Sequence, residues 1–129
     1  MTECRFVLDT NAVIFLTTKG NIVPSNILNE LNEADLFISV ITEIELFAKP
    51  EIPPDEEKKL RAFISDRISI IDITSTVKNE TIELRRKNKL KLPDCIVAAS
   101  AIIQKAVLLT ADAELLHLNW PGYKAKSPQ

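Results

Sequence analysis

Short apolar runs alternate along the chain with longer segments of helical spacing. The first run, at residues 5–9, ends at Asp9, and an apolar segment with helical spacing follows it directly. Runs of this kind predict strands at residues 5–9, 36–40, 68–73 and 106–110, with a short edge strand at 122–125. Between them, the spacing predicts helices within residues 12–16, 24–31, 43–48, 55–65, 77–87, 93–103 and 113–118.

Strands that alternate with helices indicate an α/β fold, because right-handed crossovers then build a parallel sheet of four to five strands with helices on both faces. The 129 residues are enough for one core, so we expect a single domain over residues 1–129. No apolar run approaches the ~18 residues needed to span a bilayer, and no leader pattern opens the chain, so we expect a cytoplasmic protein without a membrane partner.

The charge and the few sulfur and imidazole groups exclude several function classes. A net charge of −2 argues against a protein that coats nucleic acid by bulk charge, although a local basic patch is compatible with it. Cys4 and Cys95 are far apart and flanked by apolar residues, which predicts buried free thiols. His117 is the only histidine, so neither a zinc site nor a serine–histidine pair is indicated.

Four acids fall at matching places in this pattern: Asp9, Glu45, Asp94 and Asp112 each lie at or just beyond a strand end, or in the first turn of a helix. Each has an ordinary structural interpretation as well. Thr42 and Glu45 have the spacing of a capping box, Asp9 and Asp112 are natural N-caps, and Asp94 follows a proline at a helix start. Taken singly, these interpretations stay open.

Taken together, the four acids predict a cation site. Carboxyl ends of parallel strands meet at one edge of a sheet, and ionised carboxylates about 5 Å apart repel by roughly 3 kcal/mol per pair at an effective dielectric near 20. Either some of them are protonated or a cation is bound. All-oxygen ligands without histidine favour Mg²⁺ or Mn²⁺ over zinc.

The sequence resembles PIN domains of the VapC toxin type, and the resemblance covers essentially the whole chain. Four stretches carry it, in the order that the family shows: VLDTN (7–11), SVITEIEL (39–46), LPDCIVAASA (92–101) and LLTAD (108–112). The resemblance implies a PIN-like three-layer α/β/α sandwich and a Mg²⁺- or Mn²⁺-dependent ribonuclease. It further implies a homodimer and a VapB-like antitoxin partner whose segment occludes the site in a groove between the early helices. Phe15, Leu16 or Phe47 are candidate lining residues of this groove, although packing in the core is favoured for any one of them.

By the same resemblance, the four acids are the catalytic quartet, with Asp9, Asp94 and Asp112 as metal ligands. Glu45 then ligates through water or orients the attacking water, and Glu43 is the alternative for this position. Asn11 and Thr110 are implied as supporting polar residues.

A basic run precedes the third stretch and departs from the family pattern, which often has a single basic residue there. It consists of Arg85, Arg86, Lys87, Lys89 and Lys91. These cations are candidates for contacts to RNA phosphates, and a solvated helix end whose charges complement the helix dipole explains them equally well.

Two other functions remain open from the sequence. One is a PIN nuclease that acts in RNA processing or on structured DNA outside a toxin–antitoxin pair. The other is a catalytically silent module that binds nucleic acid or protein. A receiver-like or phosphatase domain is disfavoured, because no lysine follows the strand at residues 106–110 before Asp112.

Overall fold

The computed structural model describes residues 5–18 and 20–129, and within them it forms one parallel five-stranded sheet between two layers of helices. The strands are β1 (Arg5–Leu8), β2 (Asp35–Ser39), β3 (Ile68–Ile71), β4 (Val107–Leu109) and β5 (Ala125–Lys126). The helices are α1 (Thr10–Thr17), α2 (Ser25–Glu33), α3 (Val40–Phe47), α4 (Pro54–Arg67), α5 (Ser75–Lys87), α6 (Leu92–Gln104) and α7 (Ala113–His117). Cys4 and Lys19 lie outside the described residues.

The strand order β3-β2-β1-β4-β5 places β1 at the centre of the sheet. Phe6 pairs with Leu36 of β2 on one side and with Val107 of β4 on the other. The chain first builds the sheet outward from β1 to β3 and then returns to add β4 on the opposite side of β1. Such a reversal opens a crevice at the carboxyl ends of the two strands, which is where ligands bind in sheets of this kind.

Alternation along the strands divides the apolar residues between two cores. Phe6 and Leu8 of β1 belong to a core with buried side chains of α1 to α4, whereas Val7 belongs to a core with α5, α6 and α7. Successive side chains of a strand point to opposite faces, so one apolar run supplies both layers. Cys95 of α6 is a buried free thiol, as predicted. No helix in the described parts of the chain is both long and apolar enough to cross a membrane.

The start of α3 corrects the sequence interpretation. Helix α3 begins at Val40, because the Ser39 side chain accepts a hydrogen bond from the Ile41 N–H and caps it. Thr42 therefore lies inside the helix, and the capping box with Glu45 was wrong. Smaller shifts affect other ends: α6 begins one residue before Pro93, β3 ends at Ile71, and the edge strand is Ala125–Lys126 rather than residues 122–125.

Thr42 offers a test of core energetics. Its side chain is fully buried, and its hydroxyl has no hydrogen-bond partner among the described residues. A buried hydroxyl without a partner costs free energy, so Thr42→Val, which keeps the shape, is expected to raise the free energy of unfolding by about 1 kcal/mol. Urea denaturation measures this. Thr81→Val is the matched control, because the buried Thr81 hydroxyl donates to the Val77 carbonyl at 2.7 Å and its loss should not stabilise the protein.

Candidate active site

The structure brings all four predicted acids to the carboxyl edge of the sheet. Asp9 follows β1, Glu45 lies in α3, Asp94 is in the first turn of α6, and Asp112 is the N-cap of α7. Their charges act on one another: besides burial, which is the largest cause, the charges of Asp112, Asp9 and Glu45 raise the pKa of Asp94 to about 6. The site is therefore a cluster in which burial and the charges of neighbouring carboxylates disfavour the ionised forms of Asp9 and Asp94.

Asp9 is the buried member of the cluster, with a side chain only 6% exposed. One carboxylate oxygen accepts from the Thr10 N–H at 2.9 Å, and the other accepts from the Thr110 hydroxyl at 2.7 Å and the Asn11 amide at 3.2 Å. Burial raises the pKa of Asp9, and the hydrogen bonds from Thr110 and Thr10 partly offset this. Asp9 caps α1, as one interpretation held, and faces the cluster as well.

Thr110 and Asn11 join the two sides of the crevice. The Thr110 hydroxyl is fully buried; it donates to Asp9 and accepts from the Asp112 N–H at 3.0 Å. The Asn11 carbonyl oxygen accepts from the Ala111 N–H at 2.9 Å. These bonds fix the end of β1 to the segment after β4, so both predicted supporting residues contact the cluster directly.

Glu45 is held at the site by a residue that the sequence reasoning missed. The Thr10 hydroxyl donates to the Glu45 carboxylate at 2.7 Å, and the charge of Glu45 raises the pKa of both Asp9 and Asp94. Neither contact is found for Glu43 within the described residues, so the geometry favours Glu45 over its alternative. The signal available in the sequence was a hydroxyl residue directly after the strand-end aspartate.

Asp112 is both a helix N-cap and a charged member of the cluster. One of its carboxylate oxygens accepts from the Glu114 N–H at 2.8 Å and the Leu115 N–H at 3.4 Å, which is N-capping geometry. Its charge also raises the pKa values of Asp94 and Asp9. The second carboxylate oxygen accepts neither of these bonds.

The chemistry of the donor set suits a hard divalent cation. All four side chains offer carboxylate oxygens, and their mutual repulsion would be relieved by a cation. Within residues 5–18 and 20–129, no three Asp, Glu, His or Cys side chains form a ready-made ligand set for one ion. Mg²⁺ is commonly held by only one or two carboxylates plus water, so the arrangement is compatible with Mg²⁺ or Mn²⁺. Asp9, Asp94 and Asp112 as three direct ligands stays a prediction.

The members of the basic run differ in their contacts. All five side chains are exposed: Arg85, Arg86, Lys87, Lys89 and Lys91. Arg85 donates to the Leu90 carbonyl at 2.9 Å. Arg86 and Lys87 both form salt bridges with Glu83. Lys91 is the N-cap residue of α6, and its charge lowers the pKa of Asp94. Of the run, Lys91 therefore lies electrostatically nearest to the acids.

The raised pKa of Asp94 predicts an unusual pH dependence of stability. Its pKa of about 6 in the folded protein exceeds the ordinary value of 3.8, so the folded state binds more protons between these values, and the free energy of unfolding falls as pH rises through this window. Thermal denaturation in EDTA should show a higher Tm near pH 5 than near pH 7. Asp94→Asn should reduce this difference, and added Mn²⁺ should raise Tm more near pH 7. An unchanged pH profile in Asp94→Asn would contradict the assignment.

Comparisons with known proteins concern the family and the fold of the whole chain. The family model described as PIN domain matches residues 6–121. A chain of the DNA-bound VapBC from Salmonella typhimurium is 27% identical, with a TM-score of 0.72, over 98% of this chain and 99% of that one. A chain of a toxin–antitoxin complex from Klebsiella pneumoniae is 25% identical, with a TM-score of 0.70, over 95% and 97% of the two chains.

A third structural relative has the same fold at lower identity. A chain of VapBC2 from Rickettsia felis, bound to a promoter DNA fragment, is 22% identical with a TM-score of 0.76 over 95% of this chain and 98% of that one. Among curated protein sequences, none matches this chain significantly. The predicted three-layer α/β/α sandwich is confirmed. This chain belongs to the PIN domain family, and it is a PIN domain of the VapC type.

Proposed function

We propose that this PIN domain, formed by residues 1–129, is a Mg²⁺- or Mn²⁺-dependent endoribonuclease, the toxin of a VapBC-type toxin–antitoxin pair in the cytoplasm. PIN domains of the VapC type are nucleases. The observation that carries the proposal for this chain is the cluster of four carboxylates at the carboxyl edge of the sheet, in which neighbouring charges raise the pKa values of Asp9 and Asp94. Such a cluster suits the hydrolysis of a phosphodiester by a metal-activated water.

A bound divalent ion supplies a water of lowered pKa and stabilises negative charge on the scissile phosphate. Asp9, Asp94 and Asp112 would hold it. Asp9 is already oriented by the Thr110 hydroxyl and the Asn11 amide, so little side-chain freedom is lost on binding. Glu45 is exposed and tethered to Thr10, which suits a group that accepts a proton from the attacking water.

Three candidate nucleophiles, Ser39, Ser100 and Cys95, are engaged in local structure or buried, which supports water as the attacking group. Ser39 caps α3, and the buried Ser100 hydroxyl donates to the Ile96 carbonyl at 2.7 Å. Burial raises the pKa of the Cys95 thiol, so its nucleophilic thiolate form is disfavoured. These three side chains are fully or almost fully buried and are not available to a phosphodiester.

RNA is proposed to approach along the basic run, with Lys91 nearest to the scissile phosphate. Exposed cations next to an acidic cluster compensate its repulsion toward the RNA backbone. Lys91→Ala is expected to raise KM for RNA about three-fold and to weaken its salt dependence, because one phosphate contact is lost. Cleavage rates at two salt concentrations measure this. Lys58→Ala, a surface lysine of α4, is the control and should change neither quantity.

The proposed partner is a VapB-like antitoxin, because the structural relatives are chains of VapBC and toxin–antitoxin complexes. A cleft of about 310 Å³ lies beside α1 and the start of α4 and is lined by Ile14, Leu60, Lys49, Lys59 and Asp55, among others. The burial of the candidate groove residues agrees with the core packing that the sequence favoured for any one of them. Leu16 and Phe47 are only partly exposed and pack against the core, and Phe15 is partly buried too.

A homodimer is the second proposed assembly. Ile82 of α5 and Leu92 of α6 line one hollow and are 41% and 52% exposed. Apolar side chains that share an exposed hollow are typical of an interface. Leu92→Arg is expected to shift sedimentation from dimer to monomer, whereas an unchanged sedimentation coefficient would remove this surface from the proposal.

The decisive experiment incubates purified protein with a mixed RNA pool that includes tRNA, in Mg²⁺, Mn²⁺ or EDTA. Cleavage that needs the metal and is lost in Asp94→Asn is the expected result. Mass analysis of the same preparation detects a bound antitoxin, which would explain inactivity until it is removed. Metal-independent cleavage, or no cleavage by protein shown to be free of a partner, would overturn the proposal and favour the silent module. Equal cleavage of structured DNA would favour a nuclease outside a toxin–antitoxin pair.

A further inference from the structure

The position of Asp112 depends on a very short helix. Helix α7 has only five residues, from Ala113 to His117, and helices of this length are not stable through their own hydrogen bonds. Asp112 forms its N-cap, so the direction of the carboxylate follows the orientation of α7. External contacts must therefore hold this helix in place.

One such contact comes from Tyr123, which follows α7 in the chain. The Tyr123 hydroxyl donates to the Leu115 carbonyl at 2.6 Å, and the Leu115 N–H in turn donates to the Asp112 carboxylate at 3.4 Å. Carbonyls in the last turn of a helix lack a partner within the helix, so this bond satisfies one of them. Leu115 is fully buried and links the tyrosine to the acid.

Tyr123 is itself anchored to the sheet. Its N–H donates to the Trp120 carbonyl at 3.1 Å across a turn in which Gly122 has φ of 79°. Such a positive φ favours glycine, so the turn is encoded locally. The next residue, Lys124, accepts from the Leu108 N–H of β4 at 2.9 Å. The phenol therefore projects from a segment that is fixed to the central sheet next to Asp112.

We propose that Tyr123 is a positioning residue for Asp112: its hydroxyl fixes α7 against the sheet and thereby sets the direction of the Asp112 carboxylate toward the other acids. This role depends on the proposed function only where it concerns metal binding. Tyr123 does not touch the reacting atoms and is not a catalytic residue.

The electrostatic environment agrees with this role. Burial is the largest cause that raises the pKa of Tyr123, and the charges of Asp9, Asp112 and Asp94 raise it further. The raised pKa of the phenol favours its protonated form, in which the hydroxyl can donate a hydrogen bond.

Packing alone is the competing explanation, because the Tyr123 ring also packs against the core on the α6 side of the sheet. Tyr123→Phe separates the two, since it keeps the ring and removes only the hydroxyl. The control is Trp120→Phe in the same segment, where the indole N–H donates to Glu80 of α5 at 2.9 Å instead of to α7.

The first measurement is amide hydrogen exchange by NMR on the metal-free full chain. In Tyr123→Phe, the amides of Glu114 and Leu115, which donate to Asp112, should exchange about five-fold faster, as expected for loss of one hydrogen bond. The amide of Leu108 serves as an internal reference for global stability, and its exchange rate should not rise by the same factor. Trp120→Phe should leave the Glu114 and Leu115 amides unchanged relative to this reference.

The second measurement is Mn²⁺ affinity, followed by the electron paramagnetic resonance signal of free Mn²⁺ without RNA. Tyr123→Phe should weaken it about three-fold, and Trp120→Phe should not. Unchanged exchange at Glu114 and Leu115, or faster exchange with unchanged Mn²⁺ affinity, would overturn the proposal. If the wild-type protein binds no Mn²⁺ and cleaves no RNA, the proposed function fails, and the exchange experiment alone decides whether Tyr123 positions Asp112.

Discussion

Asp94→Asn is expected to lower metal-dependent RNA cleavage at least about a thousand-fold while the protein stays folded. Asparagine has nearly the same shape but carries no charge, and a metal contributes several kcal/mol of transition-state stabilisation, which corresponds to this factor. Burial and neighbouring charges, rather than a hydrogen bond, act on the carboxyl of Asp94 within the described residues, so the substitution is not expected to break one. Cleavage of the RNA pool in Mg²⁺ or Mn²⁺ measures the effect.

The same substitution is expected to stabilise the metal-free protein near pH 7, because it removes a carboxylate whose ionised form is disfavoured by burial and by Asp112, Asp9 and Glu45. The gain should be about 1 kcal/mol, since the carboxyl is partly exposed and solvent screens its interactions. Loss of activity together with higher stability separates removal of a functional group from damage to the fold. This opposition is typical of residues kept for chemistry rather than for stability.

Glu43→Gln is the matched control for Asp94→Asn. It also removes one negative charge, and it does so on α3 two residues from Glu45, without a contact to the cluster among the described residues. Cleavage should stay within about two-fold of the wild-type rate, as for a surface substitution away from the site. If both variants lost activity equally, the assignment of Glu45 over Glu43 and the importance of the cluster would both be in doubt.

Thr110→Val is the substitution with the second-largest expected effect. The Thr110 hydroxyl is fully buried, donates to Asp9 at 2.7 Å and accepts from the Asp112 N–H at 3.0 Å, so valine leaves both partners without this bond. Cleavage is expected to fall about 10- to 100-fold, as for the loss of other groups that orient metal ligands. The midpoint of activation by Mn²⁺ should rise, because Asp9 is no longer held in its orientation.

Stability provides the second measurement on Thr110→Val. Removing a hydrogen bond to a buried carboxylate costs about 2 kcal/mol, and the pKa of Asp9 should rise further once a bond that lowers it is gone. Thr110→Ser keeps the hydroxyl and should retain most of the activity. If serine and valine were equally inactive, the methyl packing of Thr110 rather than its hydroxyl would be what the site requires.

The predictions for Asp94→Asn and Thr110→Val concern two different contributions to the same site. Asp94 contributes charge from the start of α6, whereas Thr110 contributes orientation from the end of β4. Several acids at the site also stabilise local structure, since Asp9 caps α1 and Asp112 caps α7. Capping holds one oxygen of each carboxylate, and this also fixes the direction of the other oxygen. A role as helix cap and a role as metal ligand are therefore compatible for these two residues.

The sequence by itself determined the α/β class, the parallel sheet and the position of the four acids near its carboxyl edge. Short apolar runs and helical spacing depend only on local geometry, and the four motifs lie within strand ends and first turns that this pattern locates. Element ends were less accurate, as at α3, where the buried Ser39 cap took the place of the predicted start at Thr42.

Only the tertiary structure decided which groups touch. The bonds from Thr110 to Asp9 and from Tyr123 to Leu115 join residues 101 and 8 positions apart, and that from Thr10 to Glu45 spans 35. Local spacing carries no information about such contacts, because strand order and helix packing set them. The same holds for charge: an acid with an ordinary sequence context, Asp94, acquires a pKa of about 6 only when folding buries it beside the other acids.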